Sequence, residues 1–544
     1  WLGSFTGSNR PLNFQGGTAC SVAPSQFDNR NMDMNVSINN RFQEWLRHYA
    51  ESQPEEEFIY SIDQEKSVTY GEADLVCRQV GQFLKQRGFV ANDRIALMSN
   101  NSIEHLLTYI GVMAYGATAC TIHVEMNALY IDEIIATVKP KIILFEEAAG
   151  LDLSSINDVE KLPLGQIGEA AVDTFFGVVS EMSTGSIEIP VNIPADIASI
   201  FYTSGTSSTP KGVMCNFSDL VDNTLAVVEG FDLSDADRVL DFRSFNWMSA
   251  QVLSVLAPLS VGATLLLARK FSASRFFNWI KDHQATIAAG NPTTISMLIN
   301  RPSEIRGGDI PHLRYITSSS APLLIQDWQN FEALYDVKVC QGYGASEVGW
   351  ISASNENCRK QGSVGKPLAY QNLKVVDDDG EPLPAPSIGF IELGPSQETE
   401  FKYLDENGDK HISAKGRVKT GDMGYYDEEG YLFISGRQKD LIIRGGINIS
   451  PLEIENVISG LPGIAEVAAF GIEDKIYGEG VAAVVVLQDQ CDLSVEDVIN
   501  HCQQNLSAVK IPERVNITEQ LPKTDRGKLD RKSLKELWSQ NQTL

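Results

Sequence analysis

Ile197-Ala-Ser-Ile-Phe-Tyr202 runs without a break into Thr203-Ser-Gly-Thr-Ser-Ser-Thr-Pro-Lys211-Gly212. The first six residues are the short, mostly apolar run that a strand buried on both faces requires. Six hydroxyl residues interrupted only by Gly205 follow, and then a proline and Lys211. Hydroxyls and exposed backbone N–H groups in such a turn make a pocket for phosphate oxygens, and a lysine supplies the counter-charge. A Walker A loop would need its lysine after the second glycine, whereas here Lys211 precedes Gly212. On composition alone, a Ser/Thr surface loop is an equal reading.

Outward from this stretch, short apolar runs recur at Glu57–Ile62, Arg94–Met98, Ala117–Ile122, Lys141–Phe145, Thr264–Ala268, Thr286–Ala289 and Tyr315–Ser318. Helical patterns separate them, among them Glu104–Tyr115, Ser272–His283 and Leu324–Leu334. Strands alternating with helices predict a doubly wound α/β body. Beyond about Gly362 the pattern changes. Leu373–Asp377, Ile388–Leu393 and Tyr431–Ser435 read as antiparallel strands between Gly, Pro and Asp turns, the β-rich distal part of a large N-terminal domain. The last hundred or so residues alternate again, with helices at Pro451–Ser459 and Val495–Leu506 and strands at Ile464–Gly471 and Gly480–Leu487, which predicts a small α+β domain. The expected division is 1–31 as a non-native or disordered segment, 32–436 as the large domain and 437–544 as the small one.

The chain has 544 residues, a formal net charge of −27 and 43% hydrophobic residues. That charge disfavours nucleic acid and anionic membranes as partners. The eight cysteines include no C-x-x-C pair, and the seven histidines form no H-x-x-x-H pattern, so a disulfide scaffold and a structural zinc site are disfavoured. Residues 1–31 lack the apolar core of a signal peptide. Ala250–Ala268 carries no charge, but Pro258 and Gly262 divide it into a buried helix, a turn and a strand rather than a membrane span. A cytoplasmic protein is expected.

Five further segments follow the hydroxyl loop in order: Ser318-Ser-Ser-Ala321-Pro322; Gln341-Gly-Tyr-Gly-Ala-Ser-Glu347; Lys419-Thr-Gly-Asp422; Gly436-Arg437-Gln438-Lys439-Asp440; and Leu521-Pro-Lys-Thr-Asp-Arg-Gly-Lys528. With the loop, they resemble the motifs of the adenylate-forming superfamily, which comprises acyl-CoA synthetases, peptide-synthetase adenylation domains and luciferases. The resemblance covers essentially Met32–Leu544. One departure is Ser346 before Glu347, where the family usually has threonine.

The resemblance implies an ATP-dependent reaction in two halves, in which a carboxylic acid becomes an acyl-adenylate and a thiol, usually coenzyme A, displaces AMP. It implies that Lys528, Thr206 and Glu347 are catalytic, with Glu347 also holding Mg2+. Thr203, Ser204, Gly205, Thr206 and Lys211 would hold phosphates. Ser320, Ala321, Pro322, Gly342, Tyr343, Gly344 and Ser346 would surround the adenine, Asp422 would hold the ribose, and Arg437 would contact the nucleotide. Lys439 would be the hinge of a mobile C-terminal domain, and Gly445 and Gly446 would line a coenzyme A channel.

Gly445-Gly-Ile-Asn-Ile-Ser-Pro-Leu-Glu453 resembles acyl-CoA ligases rather than peptide-synthetase domains. Phe245, Asn246, Trp247, Asn291 and Ser319 are the acid-pocket candidates. Asn246 stands where such ligases commonly carry histidine, and Trp247 would narrow the pocket towards a short or medium acid. Phe271–Ile287 faintly resembles carnitine and crotonobetaine ligases. Transfer to a carrier protein and a non-catalytic nucleotide- or acyl-binding protein stay open as alternatives, as do monomer and homodimer.

Overall fold

The computed structural model describes residues 40–169, 173–185, 190, 195–202, 211–394, 400–488, 490–523 and 529–541. The expected N-terminal segment 1–31 therefore lies outside the described residues. A nine-stranded sheet runs in the order Lys366–Pro367, Gly349–Ala353, Val339–Ala345, Tyr315–Ser318, Ile287–Ala288, Arg238–Asp241, Thr264–Leu267, Glu57–Ser61 and Lys66–Thr69. The six strands from Val339–Ala345 through Glu57–Ser61 are parallel. An eight-stranded sheet runs Lys410–Lys415, Glu400–Leu404, Gly212–Asn216, Ile197–Tyr202, Thr118–Thr121, Arg94–Met98, Ile142–Phe145 and Glu160–Pro163. Its last five strands are parallel.

Side chains of a strand alternate between its two faces, so each sheet buries two cores. Ile95 and Leu97 enter the largest core together with Val239, Leu265 and Leu267 of the other sheet. Ala96 and Met98 enter a second core against the Ala128–Val138 helix, and Leu240 and Leu266 a third against Phe276–Asp282 and Ile325–Tyr335. Two sheets thus share one core and each carries helices on its far face, which explains the nearly all-apolar strands. The Ile103–Tyr115 helix lies in the shared core with every residue buried; Ser102 caps its start and Gly116, at φ 102°, ends it.

The uncharged segment resolves into a π-helical turn at Gln251–Leu256, a short helix at Ala257–Val261, a left-handed Gly262 and the Thr264–Leu267 strand. Among the described residues, no helix is long and apolar enough to cross a membrane. The helix predicted from Ser272 begins only at Phe276, because the preceding residues form a turn in which Arg275 N donates to Ser272 O. A four-stranded antiparallel sheet, Lys374–Val376, Gly389–Leu393, Val418–Tyr426 and Leu432–Arg437, follows.

The C-terminal sheet pairs Ile464–Asp474 with Gly478–Leu487 and adds Arg514–Thr518 in parallel; Ile442–Arg444 and Ile447–Ile449 complete it. Its cores are formed by residues from Ile442 onward, with Leu324 packed against one of them.

Candidate functional site

The carboxyl ends of parallel strands are where an open α/β sheet leaves a crevice for ligands. Four loops follow such ends in the nine-stranded sheet: Phe242–Trp247, Ala289–Asn291, Ser319–Pro322 and the end of the strand containing Tyr343. The other sheet supplies Ser99–Asn101 after Arg94–Met98 and Thr121 at the end of Thr118–Thr121, while the hydroxyl loop after Tyr202 lies outside the described residues. The two sets meet through hydrogen bonds. Asn246 Nδ2 donates to Ser99 O at 3.1 Å, and Thr121 Oγ1 donates to Asn246 O at 3.3 Å.

Three of the expected nucleotide residues, from three separate segments, form one cluster. Tyr343 Oη donates to Asp422 Oδ2 at 2.6 Å, and Arg437 Nε donates to Asp422 Oδ1 at 3.1 Å. Asp422 is cross-strand from Arg437 in the antiparallel sheet, and its N–H donates to Thr420 Oγ1. Burial, and then the Asp422 carboxylate, push the Tyr343 phenol well above its ordinary pKa, so the ring stays a neutral donor. Each carboxylate oxygen keeps a further lone pair for a sugar hydroxyl.

The glycines flanking Tyr343 have packing reasons. A Cβ on Gly342 would lie 2.6 Å from Trp350 Cζ3 and 2.8 Å from Phe231 Cζ, and one on Gly344 would lie 2.5 Å from Gly349 O. Ser346 and Glu347 occupy the half-buried turn between Val339–Ala345 and Gly349–Ala353. In the adenine-wall segment, Ser319 is buried while Ser320 and Pro322 are exposed and Ala321 is intermediate. Ser320 has φ 75°, a left-handed backbone that costs a non-glycine residue about 1 kcal/mol.

On the phosphate side, Thr203, Ser204, Gly205 and Thr206 lie outside the described residues, as does Lys528. Lys211 is described, and its Nζ sits 5.4 Å from the centre of the Tyr403 ring. The hydroxyl of the same tyrosine donates to Glu347 Oε1 at 2.7 Å. Sequence reading missed Tyr403, which stands on the Glu400–Leu404 strand far from any motif. Gly212 follows because Tyr202 packs over it: a Cβ there would meet the Tyr202 ring at 2.9 Å. Among the described residues, no cluster of three or more His, Cys, Asp or Glu could hold a metal ion. A lone carboxylate such as Glu347 is the kind of hard oxygen donor that Mg2+ combines with phosphate oxygens and water.

On the acid side, Phe245 is fully buried in the shared core, and its backbone is held at both ends. Its N–H donates to Asn101 Oδ1 at 3.0 Å and its carbonyl accepts from Gln251 Nε2 at 2.8 Å. Gln251 also donates to Thr121 Oγ1 and accepts from Tyr109 Oη. Beneath the loop, Arg243 and Asp241 form a buried pair at 2.7 Å; Ser254 Oγ donates to Asp241 Oδ2 and Arg243 Nη1 reaches Ser319 Oγ at 3.5 Å. Such a pair contributes little net stability but fixes geometry.

The hydrogen bonds of Asn246 limit what its side chain could offer an acid. Its Nδ2 is spent on Ser99 O and Ser244 Oγ, while buried Oδ1 has no partner among the described residues, so Asn246 offers an acceptor. Trp247 stacks on His123 with ring centres 6.2 Å apart. Asn291 caps the Pro292–Asn300 helix through its Oδ1, which leaves that oxygen occupied.

Lys439 is exposed in the single turn Gln438–Asp440 that follows Leu432–Arg437. Gly445 and Gly446, at φ 56° and 83°, form the two-residue turn between Ile442–Arg444 and Ile447–Ile449. Both central positions of that turn need positive φ, which accounts for the paired glycines.

Comparison with known proteins extends this geometry. The AMP-binding enzyme model matches residues 46–394, and the AMP-binding enzyme C-terminal domain model matches 453–528. An oxalate–CoA ligase of Arabidopsis thaliana is 29% identical over 471 residues, 84% of this chain and 91% of that one. A crotonobetaine/carnitine–CoA ligase of Escherichia coli is 29% identical over 466 residues, 82% of this chain and 89% of that one. In fold, the anthranilate CoA ligase AuaEII in complex with anthranoyl-AMP superposes with a TM-score of 0.83 at 23% identity, covering 95% of this chain and 99% of that one. With its large α/β part and small C-terminal part both matched, the chain belongs to the AMP-binding enzyme family.

Proposed function

We propose that this AMP-forming acyl-CoA ligase activates a short or medium carboxylic acid that carries a hydrogen-bond donor. The enzyme joins an acid to coenzyme A at the expense of ATP. The observation that carries the nucleotide reading is the Tyr343–Asp422–Arg437 cluster at the mouth of the two sheets.

In the first half-reaction a carboxylate oxygen of the acid forms a bond to the α-phosphorus of ATP, and pyrophosphate leaves. In the second the coenzyme A sulfur, having lost its proton, bonds to the acyl carbon, and AMP leaves. Neither step needs a protein nucleophile; the chain supplies position and charge. Asp422 holds the ribose, Tyr343 lies against the adenine, and Lys211 with Thr203–Thr206 holds phosphate oxygens. Lys528 meets the charge that develops between carboxylate and α-phosphate. Glu347 would hold Mg2+, which supplies charge neutralisation on the phosphates when bound. The net charge of −27 does not oppose this, because screening over about 8 Å leaves local cations dominant.

The large domain, 32–436, would carry the nucleotide and acid, and 437–544 would pivot near Lys439 to bring the Gly445-Gly446 turn to the thiol. Support for the acid class comes from the pinned Phe245–Trp247 loop: Trp247 against His123 narrows the pocket, and Asn246 Oδ1 is an acceptor with no partner among the described residues. The cytoplasm is the compartment proposed, in keeping with the free thiols of all seven described cysteines.

Pyrophosphate release with Mg-ATP across a panel of acids, each with and without coenzyme A, tests the reading. Catalytic turnover only with coenzyme A, greatest for short or medium acids bearing a hydroxyl or N–H, is the expected result. Dominant activity on long-chain fatty acids would overturn the acid class. Turnover indifferent to coenzyme A would redirect the acyl group to a carrier protein.

A further inference from the structure

We infer that Tyr403 is a positioning residue that orients Glu347 and Lys211 for the phosphate end of the reaction. The inference rests on the nucleotide-site reading above and adds a residue that none of the motifs contains.

The Glu400–Leu404 strand is tied to the strand that opens immediately after Lys211, with Tyr403 directly opposite Val213. From there the side chain spans to a turn of the other sheet. Its hydroxyl donates to Glu347 Oε1 at 2.7 Å, and its ring lies 5.4 Å beneath Lys211 Nζ. The neighbouring Lys402 is buried on an ion pair of its own with Asp219 at 2.5 Å, which holds the strand in place. One aromatic residue thus touches the expected metal carboxylate and the expected phosphate lysine at once.

The two contacts have different physical effects. A hydrogen bond to one carboxylate oxygen fixes the rotation of the group and leaves Oε2 for another ligand. The ring face attracts the ammonium without neutralising it, so Lys211 keeps its charge for a phosphate. The phenol is the donor and the carboxylate the acceptor, so the contact survives only while the ring carries its hydroxyl. A carboxylate fixed in this way meets Mg2+ without first losing rotational freedom, which is the benefit of preorganisation.

The test is ATP affinity by isothermal titration calorimetry at stepped Mg2+ concentrations, with wild type, Tyr403→Phe, Glu347→Gln and the double variant. Tyr403→Phe keeps the ring and the packing but removes the donor. Losing a hydrogen bond to a charged group should weaken Mg2+-dependent ATP binding roughly 10-fold. Affinity for ATP without Mg2+, the acid KM and the melting temperature should stay near wild type. In the Glu347→Gln background the same substitution should add nothing, since the two residues act as one unit.

A wild-type Mg2+ response in a folded Tyr403→Phe variant overturns the assignment, as does an equal additional loss in both backgrounds. Should Tyr403→Phe fold poorly, Glu347→Gln approaches the pair from its other side. An unchanged Mg2+ response there removes the role of the carboxylate, and with it that of Tyr403. Wild-type protein that binds no ATP at all would instead refute the nucleotide-site reading, before any variant is compared.

Discussion

Asn101 holds Phe245 across the junction of the two sheets. Its Oδ1 accepts from Phe245 N at 3.0 Å, while its Nδ2 donates to Arg243 O at 2.8 Å and Ala268 O at 3.1 Å. A single buried amide therefore satisfies three backbone groups, two in the Phe242–Trp247 loop and one just past the Thr264–Leu267 strand, 142 to 167 residues away along the chain.

Asn101→Ala should strand those three groups without partners, at a cost of about 2–4 kcal/mol in stability. Because the loop that two of them belong to carries Asn246 and Trp247, the KM for the acid should rise roughly 10-fold while the KM for ATP stays near wild type. Steady-state kinetics with each substrate varied in turn, beside thermal melts, checks this. Equal changes in both KM values would show that the amide supports the whole cleft rather than the acid loop.

Asp327 predicts a pH dependence. It lies on the Ile325–Tyr335 helix, and burial, followed by the nearby Glu466 of the C-terminal sheet, pushes its carboxyl up to about 6. A carboxylic acid with a folded pKa above its unfolded one takes up a proton on folding, so its contribution becomes more favourable as pH falls from above 6 towards 4. Above pH 6 the charged form is a standing penalty. Asp327→Asn should raise stability at pH 7.5 by about 1–2 kcal/mol and flatten the pH dependence between 4 and 6. Buried His105, lowered to about 4, works in the opposite direction over a similar range, so the difference between variant and wild type isolates Asp327. Melting temperatures of both proteins from pH 4.5 to 8 measure it; parallel curves would remove the assignment.

The two half-reactions should separate under mutation. Lys528→Ala should lower acyl-adenylate formation about 10²–10³-fold with the melting temperature unchanged, the usual loss for one positioned donor. Lys439→Pro should leave pyrophosphate release close to wild type and depress thioester formation, because proline restricts the backbone at the expected pivot. Pyrophosphate exchange and coenzyme A consumption, measured on the same preparations, distinguish the steps. If Lys439→Pro lowered both equally, the pivot would have to lie elsewhere.

Much of the candidate nucleotide site is legible in the sequence because its segments are local. Tyr343, Asp422 and Arg437 each sit in a short segment whose residue types advertise a role, and the fold brings the three together. Strands such as Ile197–Tyr202 and Tyr315–Ser318 are readable to the residue, since burial on both faces keeps charge out of the run. Their order in the sheets is not, because it depends on pairings between distant segments. The same reason hides Tyr403, Asn101 and Gln251. Nothing near Tyr403 in the chain marks it, and its partner Glu347 is 56 residues away. Gly342 shows the converse: it belongs to a segment that resembles a binding motif, and its lack of a side chain is already demanded by Trp350 and Phe231.

Ser320, with its left-handed backbone, stands only four residues before Leu324, which packs into the C-terminal core, and Ile325 N donates to Asn456 Oδ1 at 3.2 Å. The wall expected to face the adenine and the footing of the C-terminal unit are therefore one short stretch of chain. Were the base to enter along this wall and the C-terminal unit to lift from this footing, both events would load the same stretch of chain. An inhibitor that wedges the Ser320–Leu324 stretch would then be expected to hinder both while occupying only one.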